Sequence, residues 1–298
     1  MTATPASLPG HGCRCIPQPG ELPTGLLSVT IEDNAIDPRL AVVTAGYEQK
    51  EWRAEALARH IMDWVLDFAL RPAERQPLSP GRAMETMRRA VRATFGNGTD
   101  RGVPAEILLH AVCRQLFGSD PVISKVWFKT ADNDTYKGFD GVHCVHGNND
   151  QLELWLGEAK FYKSVNRAIA SALSDLQEHF EQDYLHNEFA IIADKIDTDH
   201  PHADELRKMM HPNTSLDDVF DQIVVPVFIT YDSTATANHD HVCPEYEEAL
   251  EAEARKAWMR FANGIDTKLP VTIRLFLLPM ADKVAVMEAL TEELRGWH

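Results

Sequence analysis

Two charged residues stand at the end of an apolar segment, where charge is unusual. The segment Leu154-Trp155-Leu156-Gly157-Glu158-Ala159-Lys160 has the composition of a buried strand that ends in an acid and a base. Because strand side chains alternate between faces, Glu158 and Lys160 point to the side on which Leu154 and Leu156 are buried. Burying two charges without partners is unfavourable. A divalent cation beside the acid and a phosphate beside the lysine are therefore expected.

A third charged residue, Asp140, precedes this strand within Gly138-Phe139-Asp140-Gly141. The intervening His146-Gly147-Asn148-Asn149-Asp150 suits a hairpin turn, so Asp140 is expected near Glu158. Two carboxylates and the main-chain carbonyl of Ala159 would suit Mg²⁺ or Mn²⁺. Such an ion activates water and screens a phosphate, and the lysine of the motif would orient that water or neutralise developing charge.

The spacing Glu/Asp-x-Lys is weak evidence by itself because it occurs three times, at Glu48-Gln49-Lys50, Glu158-Ala159-Lys160 and Asp266-Thr267-Lys268. Only the middle copy closes an apolar strand that follows an Asp-bearing strand and a helix. Pro104 suits the first turn of that helix, and Glu106 flanks its apolar face. Glu106 is expected to hold waters of the metal or a second ion, or else to be a first-turn acid stabilised by the helix dipole.

The hydrophobic pattern predicts an α/β fold, with a mixed central sheet flanked by helices and a mainly helical N-terminal region. Strands are expected at residues 26–31, 40–44, 122–130, 138–145, 152–161, 189–193, 223–231 and 271–279. Helices are expected at residues 51–70, 104–117, 164–185, 245–263 and 282–295. A short basic helix that carries Arg82, Arg88, Arg89 and Arg92 is expected between the first two.

Composition narrows the class of protein. The longest apolar stretches are far too short to span a bilayer, and no secretory signal is visible, so a cytoplasmic protein is expected. Five cysteines, an odd number, argue against a disulfide framework. The formal net charge of −16 argues against a nucleic-acid partner. Binding would need a local basic strip, a bound metal or a partner subunit that holds the nucleic acid.

The order of helix Glu, strand Asp, strand Glu-x-Lys and helix across residues 104–185 resembles the PD-(D/E)xK nuclease superfamily. Its Pro-Asp dipeptide is absent, since Phe139 precedes Asp140. More narrowly, Gly138-Phe139-Asp140-Gly141 with Gly157-Glu158-Ala159-Lys160-Phe161-Tyr162 resembles the HamA family, nuclease subunits of the Hachiman anti-phage system. The resemblance implies a restriction-endonuclease-like core.

This resemblance implies Mg²⁺-dependent cleavage of DNA in a defence complex with a helicase partner, HamB. It assigns metal ligation to Asp140 and Glu158, the lysine of the motif to Lys160 and the helix acid to Glu106. The sequence pattern itself predicts a flexible arm at 1–25 and a mainly helical region at 26–98, and the motif falls in an expected nuclease domain at 99–298.

Other interpretations stay open. The chain could be a catalytically inactive subunit that docks a helicase. His239-Asp240-His241-Val242-Cys243 could centre a zinc hydrolase or be a polar loop. His143 is expected to share the face of Asp140 and to be a hydrogen-bonded strand histidine. The arginines of the basic helix could grip DNA or a partner, or have no role; they are Arg82, Arg88, Arg89 and Arg92.

Overall fold

A seven-stranded mixed sheet forms the centre of the fold. The computed structural model describes residues 22–75, 80–96, 102–124, 126, 138–147, 151–265 and 269–297. The strands are β1 (Ser28–Asp33), β2 (Arg39–Thr44), β3 (Tyr47–Glu48), β4 (Glu51–Trp52), β5 (Asp120–Ser124), β6 (Gly141–His146), β7 (Leu152–Phe161), β8 (Ile223–Asp232) and β9 (Thr272–Met280). The order across the large sheet is β1-β2-β9-β8-β7-β6-β5, and β3 pairs with β4 in a separate two-stranded sheet.

The helices cover both faces of the large sheet. They are α1 (Ala54–Ala69), α2 (Pro80–Phe95), α3 (Val103–Phe117), α4 (Val165–His179), α5 (Gln182–Lys195), α6 (Ala203–Met209), α7 (Leu216–Val219), α8 (Thr234–Ala237), α9 (Pro244–Ala262) and α10 (Lys283–Arg295). Four neighbouring strands, β2, β9, β8 and β7, run parallel to one another, while β1, β6 and β5 pair antiparallel at the two sides. The predicted mixed sheet flanked by helices is therefore confirmed.

Two apolar cores lie on opposite faces of the sheet. On one face, which we call the α4 face, Leu154 and Leu156 of β7 pack in one core with Ile169 of α4 and Leu250 of α9. On the other, the α3 face, the alternate residues of β7 and β8 pack with α1, α3 and α10. Burial on both faces explains why β8 is a nearly continuous apolar run. The sheet therefore separates the environment of Glu158 from that of α3.

The N-terminal region shares the sheet and a core with the rest of the chain. Strand β2 pairs in parallel with β9. Helix α1 buries a stripe at helical spacing, including Leu57, Ile61 and Phe68, on the α3 face of the sheet. Residues 26–98 thus contribute strands as well as helices. Most of the arm expected at residues 1–25 lies outside the described residues.

The segment after β7 differs from the sequence prediction. The single helix expected at 164–185 ends at His179, and α5 then begins at Gln182. The strand expected at 189–193 is wrong because these residues lie within α5. Its buried residues Leu185, Phe189 and Ile192 recur at spacings of four and three, so the apolar run packs as one face of a helix.

The other expected elements agree with the structure to within a few residues at each end. The strand expected at 122–130 is shorter and begins earlier, as β5, and residues 127–130 lie outside the described residues. Residues 148–150 of the expected hairpin turn are also outside them, but β6 and β7 on either side do pair antiparallel. None of the helices in the described ranges is long and apolar enough to cross a membrane.

Candidate active site

The β6–β7 pairing brings Asp140 to the segment around Glu158. Gly141 is opposite Gly157 in the antiparallel register. The backbone N–H of Asp140 donates to the carbonyl of Gly157 at 2.9 Å, and the Asp140 carboxylate accepts from the N–H of Ala159 at 2.8 Å. The expected approach of the two acidic segments is confirmed. Their chemical roles stay predictions.

Glu158 and Lys160 lie on the α4 face, as their alternation with the buried leucines predicts. Glu158 is only 2% exposed. The ammonium of Lys160 lies between two carboxylates, donating to Oε1 of Glu158 and to Oδ2 of Asp175. Asp175 belongs to α4, so this ion pair joins the end of β7 to the helix that packs over it. The arrangement supplies the partner that each buried charge requires.

The cluster holds more negative than positive formal charge. The carboxylates of Glu158 and Asp175 pair with Lys160, and the charge of Asp140 acts on both Glu158 and Lys160. Burial raises the pKa of Glu158 well above its ordinary value, and the negative charge of Asp140 raises it further against the opposing effect of Lys160. Burial works against the charged form of Lys160, but the charge of Glu158 and the hydrogen bonds to both acids outweigh it and raise the pKa of Lys160. A bound cation would balance the excess negative charge.

His179, at the end of α4, also faces this cluster. Its Nδ1 lies 3.8 Å from Oε2 of Glu158. The ring stacks on Tyr184, with centroids 5.2 Å apart and planes at 17°, and meets Phe139 edge-on at 4.7 Å. Burial lowers the pKa of His179. Because Phe139 is the residue before Asp140, this aromatic contact also couples α4 to the acidic segment.

Gly157 allows the elements around the site to approach closely. A Cβ at this position would lie 2.8 Å from Cδ2 of Leu109 and 3.2 Å from the carbonyl oxygen of Gly141. Leu109 belongs to α3 and Gly141 to β6, so both neighbours would have to move. The glycine therefore permits the tight packing of three elements immediately beside Glu158.

Glu106 is on the element that covers the opposite face. It lies in the first turn of α3 and is half-buried. Helix α3 packs with Trp155 and Ala159 on the α3 face, whereas Glu158 faces α4. Packing therefore does not by itself bring Glu106 to the cluster, and its metal role stays a prediction. The same holds for ligation by the main-chain carbonyl of Ala159.

The donor chemistry fits a hard divalent cation, although a full ligand set is not preformed. Asp140 and Glu158 are buried carboxylates, the ligand type that Mg²⁺ and Mn²⁺ prefer. In the part of the chain that the structure describes, no three side chains of His, Cys, Asp and Glu already come together as a metal-holding group. Two carboxylates with main-chain oxygens and waters are a sufficient set for Mg²⁺, which retains several of its waters.

The rival histidine–cysteine segment is arranged differently. His239 donates from Nδ1 to the carbonyl of Ala235 at 2.7 Å, and His241 pairs with its neighbour Asp240. His241 is exposed and Cys243 is half-buried at the start of α9. These side chains also form no metal-holding group with other described residues. The segment shows no buried excess of charge comparable with that around Glu158.

Sequence reasoning misplaced one residue and missed two. His143 accepts or donates a buried hydrogen bond with Ser119, as expected of a strand histidine, but its ring lies 4.9 Å from that of His110 on α3. The expectation that it shares the face of Asp140 is therefore wrong, because the two positions are three apart, an odd separation that places their side chains on opposite faces. Asp175 and His179 were missed. Their spacing of four residues indicates that they share one face of a helix. The sequence does not show that this face packs over β7.

The fold and site define a mixed α/β protein with a buried acid–lysine cluster beside a strand hairpin. A family model described as HamA matches residues 25–294, so the chain belongs to the HamA family, as the motif resemblance implies. It is also 22% identical over 261 residues to Anti-bacteriophage protein A of Escherichia coli (strain K12), covering 85% of this chain and 47% of that protein. The chain thus spans about half the length of this curated relative.

Proposed function

We propose that this chain is a metal-dependent DNA nuclease that acts in anti-phage defence together with a helicase partner. The observation that carries the nuclease proposal is the buried cluster of Asp140, Glu158 and Lys160, in which carboxylates outnumber the lysine. The name of the relative, Anti-bacteriophage protein A, supports the defence context. The helicase partner and the DNA substrate rest on the family resemblance.

In this proposal, Asp140 and Glu158 hold the cation. When bound, the ion supplies Lewis-acid chemistry, favouring ionisation of a water and screening the phosphate charge. Lys160 offers a fixed ammonium, which donates hydrogen bonds to the attacking water or to a phosphate oxygen as negative charge develops. Asp175 keeps that ammonium in place from the helix side, because it pairs with Lys160 independently of Glu158.

Phosphate binding by a chain of net charge −16 needs a local source of positive charge. Helix α2 carries an exposed basic surface formed by Arg82, Arg88, Arg89 and Arg92. This helix packs on α1, and Arg89 pairs with Glu74. The surface would contact DNA or the helicase partner, and a helicase that holds the DNA would reduce the positive charge required of this chain.

The test is cleavage of plasmid and linear DNA with and without Mg²⁺, by the chain alone and with a helicase of the kind that the family resemblance implies. Glu158→Gln and Lys160→Ala should each reduce cleavage at least about a hundredfold, as removal of a group that stabilises the transition state does. The matched controls are Glu48→Gln and Lys50→Ala. They change the same Glu-x-Lys spacing at residues whose side chains are 67% and 83% exposed, and should leave cleavage unchanged.

Cleavage that persists in the Glu158 and Lys160 variants would refute the assignment of the site. A chain that binds the helicase stably but never cuts DNA under any of these conditions would instead be an inactive docking subunit. Cleavage that depends on zinc and is lost in Cys243→Ala would instead place the active site in the segment 239–243.

A further inference from the structure

His179 and Glu158 place two buried polar atoms close together without a hydrogen bond between them. Nδ1 of His179 is buried and has no hydrogen-bond partner among the described residues. The residue is 7% exposed, so bulk water does not solvate this nitrogen. Leaving a buried polar atom unsatisfied is unfavourable, and such atoms in folded proteins call for an explanation.

The distance between the two atoms points to a bridging group. At 3.8 Å, Nδ1 of His179 and Oε2 of Glu158 are too far apart for a hydrogen bond. The gap is shorter than twice a typical metal–ligand bond of about 2.1 Å, so one cation can contact both atoms. The charges of Asp140 and Asp175 act to raise the pKa of His179, against the larger effect of burial.

The ring of His179 is held in this orientation by its neighbours. Tyr184 stacks on one side and Phe139 packs edge-on, so rotation of the imidazole would break two aromatic contacts. Phe139 precedes Asp140, and thus the same contact fixes the imidazole relative to the second acid. A ligand that is oriented before the metal arrives loses little entropy on binding.

We propose that His179 is a third side-chain ligand of the divalent cation, beside Asp140 and Glu158. This inference rests on the proposed metal-dependent function and deepens it. An imidazole nitrogen favours first-row transition metals over Mg²⁺, which prefers oxygen ligands only. The site is therefore expected to bind Mn²⁺ more tightly than Mg²⁺. Lys160 donates to Oε1 of Glu158, so Oε2, the oxygen 3.8 Å from His179, would be the one offered to the cation.

The experiment measures Mn²⁺ bound to the purified chain by pulsed electron paramagnetic resonance, which detects ¹⁴N nuclei in direct ligation and requires no nuclease activity. The wild type should show imidazole ¹⁴N modulation, and His179→Phe, which keeps an aromatic ring between Tyr184 and Phe139, should lose it. The variant should also bind Mn²⁺ at least about tenfold more weakly, with a smaller change for Mg²⁺. His186→Phe, a half-buried histidine of α5, is the matched control and should retain the modulation.

Protein labelled with ¹⁵N-histidine provides a test without substitution, since the signal must shift to the ¹⁵N frequency in the otherwise unchanged chain. Bound Mn²⁺ that lacks nitrogen modulation in the wild type, or that keeps it in His179→Phe, would overturn the ligand role. If Asp140→Asn nevertheless abolishes the binding of Mn²⁺, the nuclease proposal stands. Absence of any Mn²⁺ or Mg²⁺ binding by the wild type would overturn both proposals.

Discussion

At the scale of single residues, the candidate site consists of largely buried side chains of opposite charge. Lys160 has two acidic partners, whereas Glu158 has to share one lysine with Asp175 and lies beside Asp140. Removal of one member therefore leaves an uncompensated buried charge, which is more unfavourable than removal of an exposed ion pair. Asp175, one of the two residues that sequence reasoning missed, is part of this balance.

Asp175→Asn is expected to impair catalysis by freeing Lys160 from the helix side. We expect a loss of about tenfold in kcat with little change in KM for DNA or in Mg²⁺ affinity, because the change affects positioning and not ligand binding. Steady-state kinetics with fluorescent DNA and calorimetric Mg²⁺ titration measure these quantities. Glu178→Gln, on the same helix but exposed, is the control. Equal kcat for Asp175→Asn and the wild type would show that Asp175 does not position Lys160.

At the scale of elements, the site depends on the close approach of α3, β6 and β7 at Gly157. The hairpin sets the register that places Asp140 beside Ala159, and α4 closes the same cluster from one face of the sheet. Ser164 caps the start of α4 by accepting from the N–H of Arg167. Only three residues, 162–164, separate the end of β7 from the start of α4, which keeps the first turn of the helix close to the motif.

Gly157→Ala is expected to destabilise the fold by about 1–3 kcal/mol, the usual range for overpacking a well-filled core. The new Cβ would meet Leu109 and the Gly141 carbonyl, and the second of these is backbone that cannot turn away. Urea unfolding measures the change, and the double variant Gly157→Ala/Leu109→Ala tests its origin. Partial rescue by the smaller residue at 109 is expected. An unaltered unfolding midpoint for Gly157→Ala would show that the three elements are not packed so tightly.

The strands of the sheet, and the face on which Glu158 and Lys160 lie, were predictable from the sequence because both depend on local alternation. Leu154, Leu156 and Glu158 identify one face of β7 without knowledge of its neighbours. The end of α4 was not predictable, since no glycine or proline marks the break after His179. Phe189 and Ile192 fit a strand or a helix as a short apolar run, and only packing decides between them. The roles of Asp175 and His179 likewise depend on which face of the helix meets β7.

At the scale of the whole molecule, the α3 face contains buried polar groups that tie α1 to α3. Asp67 accepts from His110 at 2.6 Å and from Arg114 at 3.2 Å, and it also pairs with Arg75. Burial opposes the charged form of Asp67, but its partners outweigh burial and lower its pKa. Burial also lowers the pKa of His60 to about 4. The fold thus contains groups whose ionisation is linked to stability.

Stability is expected to fall as the pH decreases from 7 to 5. His60 stays neutral when folded but has a pKa near 6.5 when unfolded, so protonation of the unfolded chain favours unfolding below that value. The contribution of His60 is fully present above pH 6.5 and is lost progressively as the pH falls toward 4. His60→Phe should reduce the loss between pH 7 and 5 by about 2 kcal/mol, as measured by urea unfolding at each pH. An identical pH dependence in the variant and the wild type would contradict this linkage.

The central claim is that Asp140 and Glu158 bind a divalent cation where β6 and β7 meet. Anomalous X-ray scattering from crystals of the chain grown with Mn²⁺ tests it most directly. We expect one strong Mn²⁺ peak in contact with a carboxylate oxygen of Asp140 and one of Glu158. We expect no peak at that place in Glu158→Gln crystals. A well-occupied Mn²⁺ peak elsewhere, with none beside Asp140 and Glu158, would contradict it.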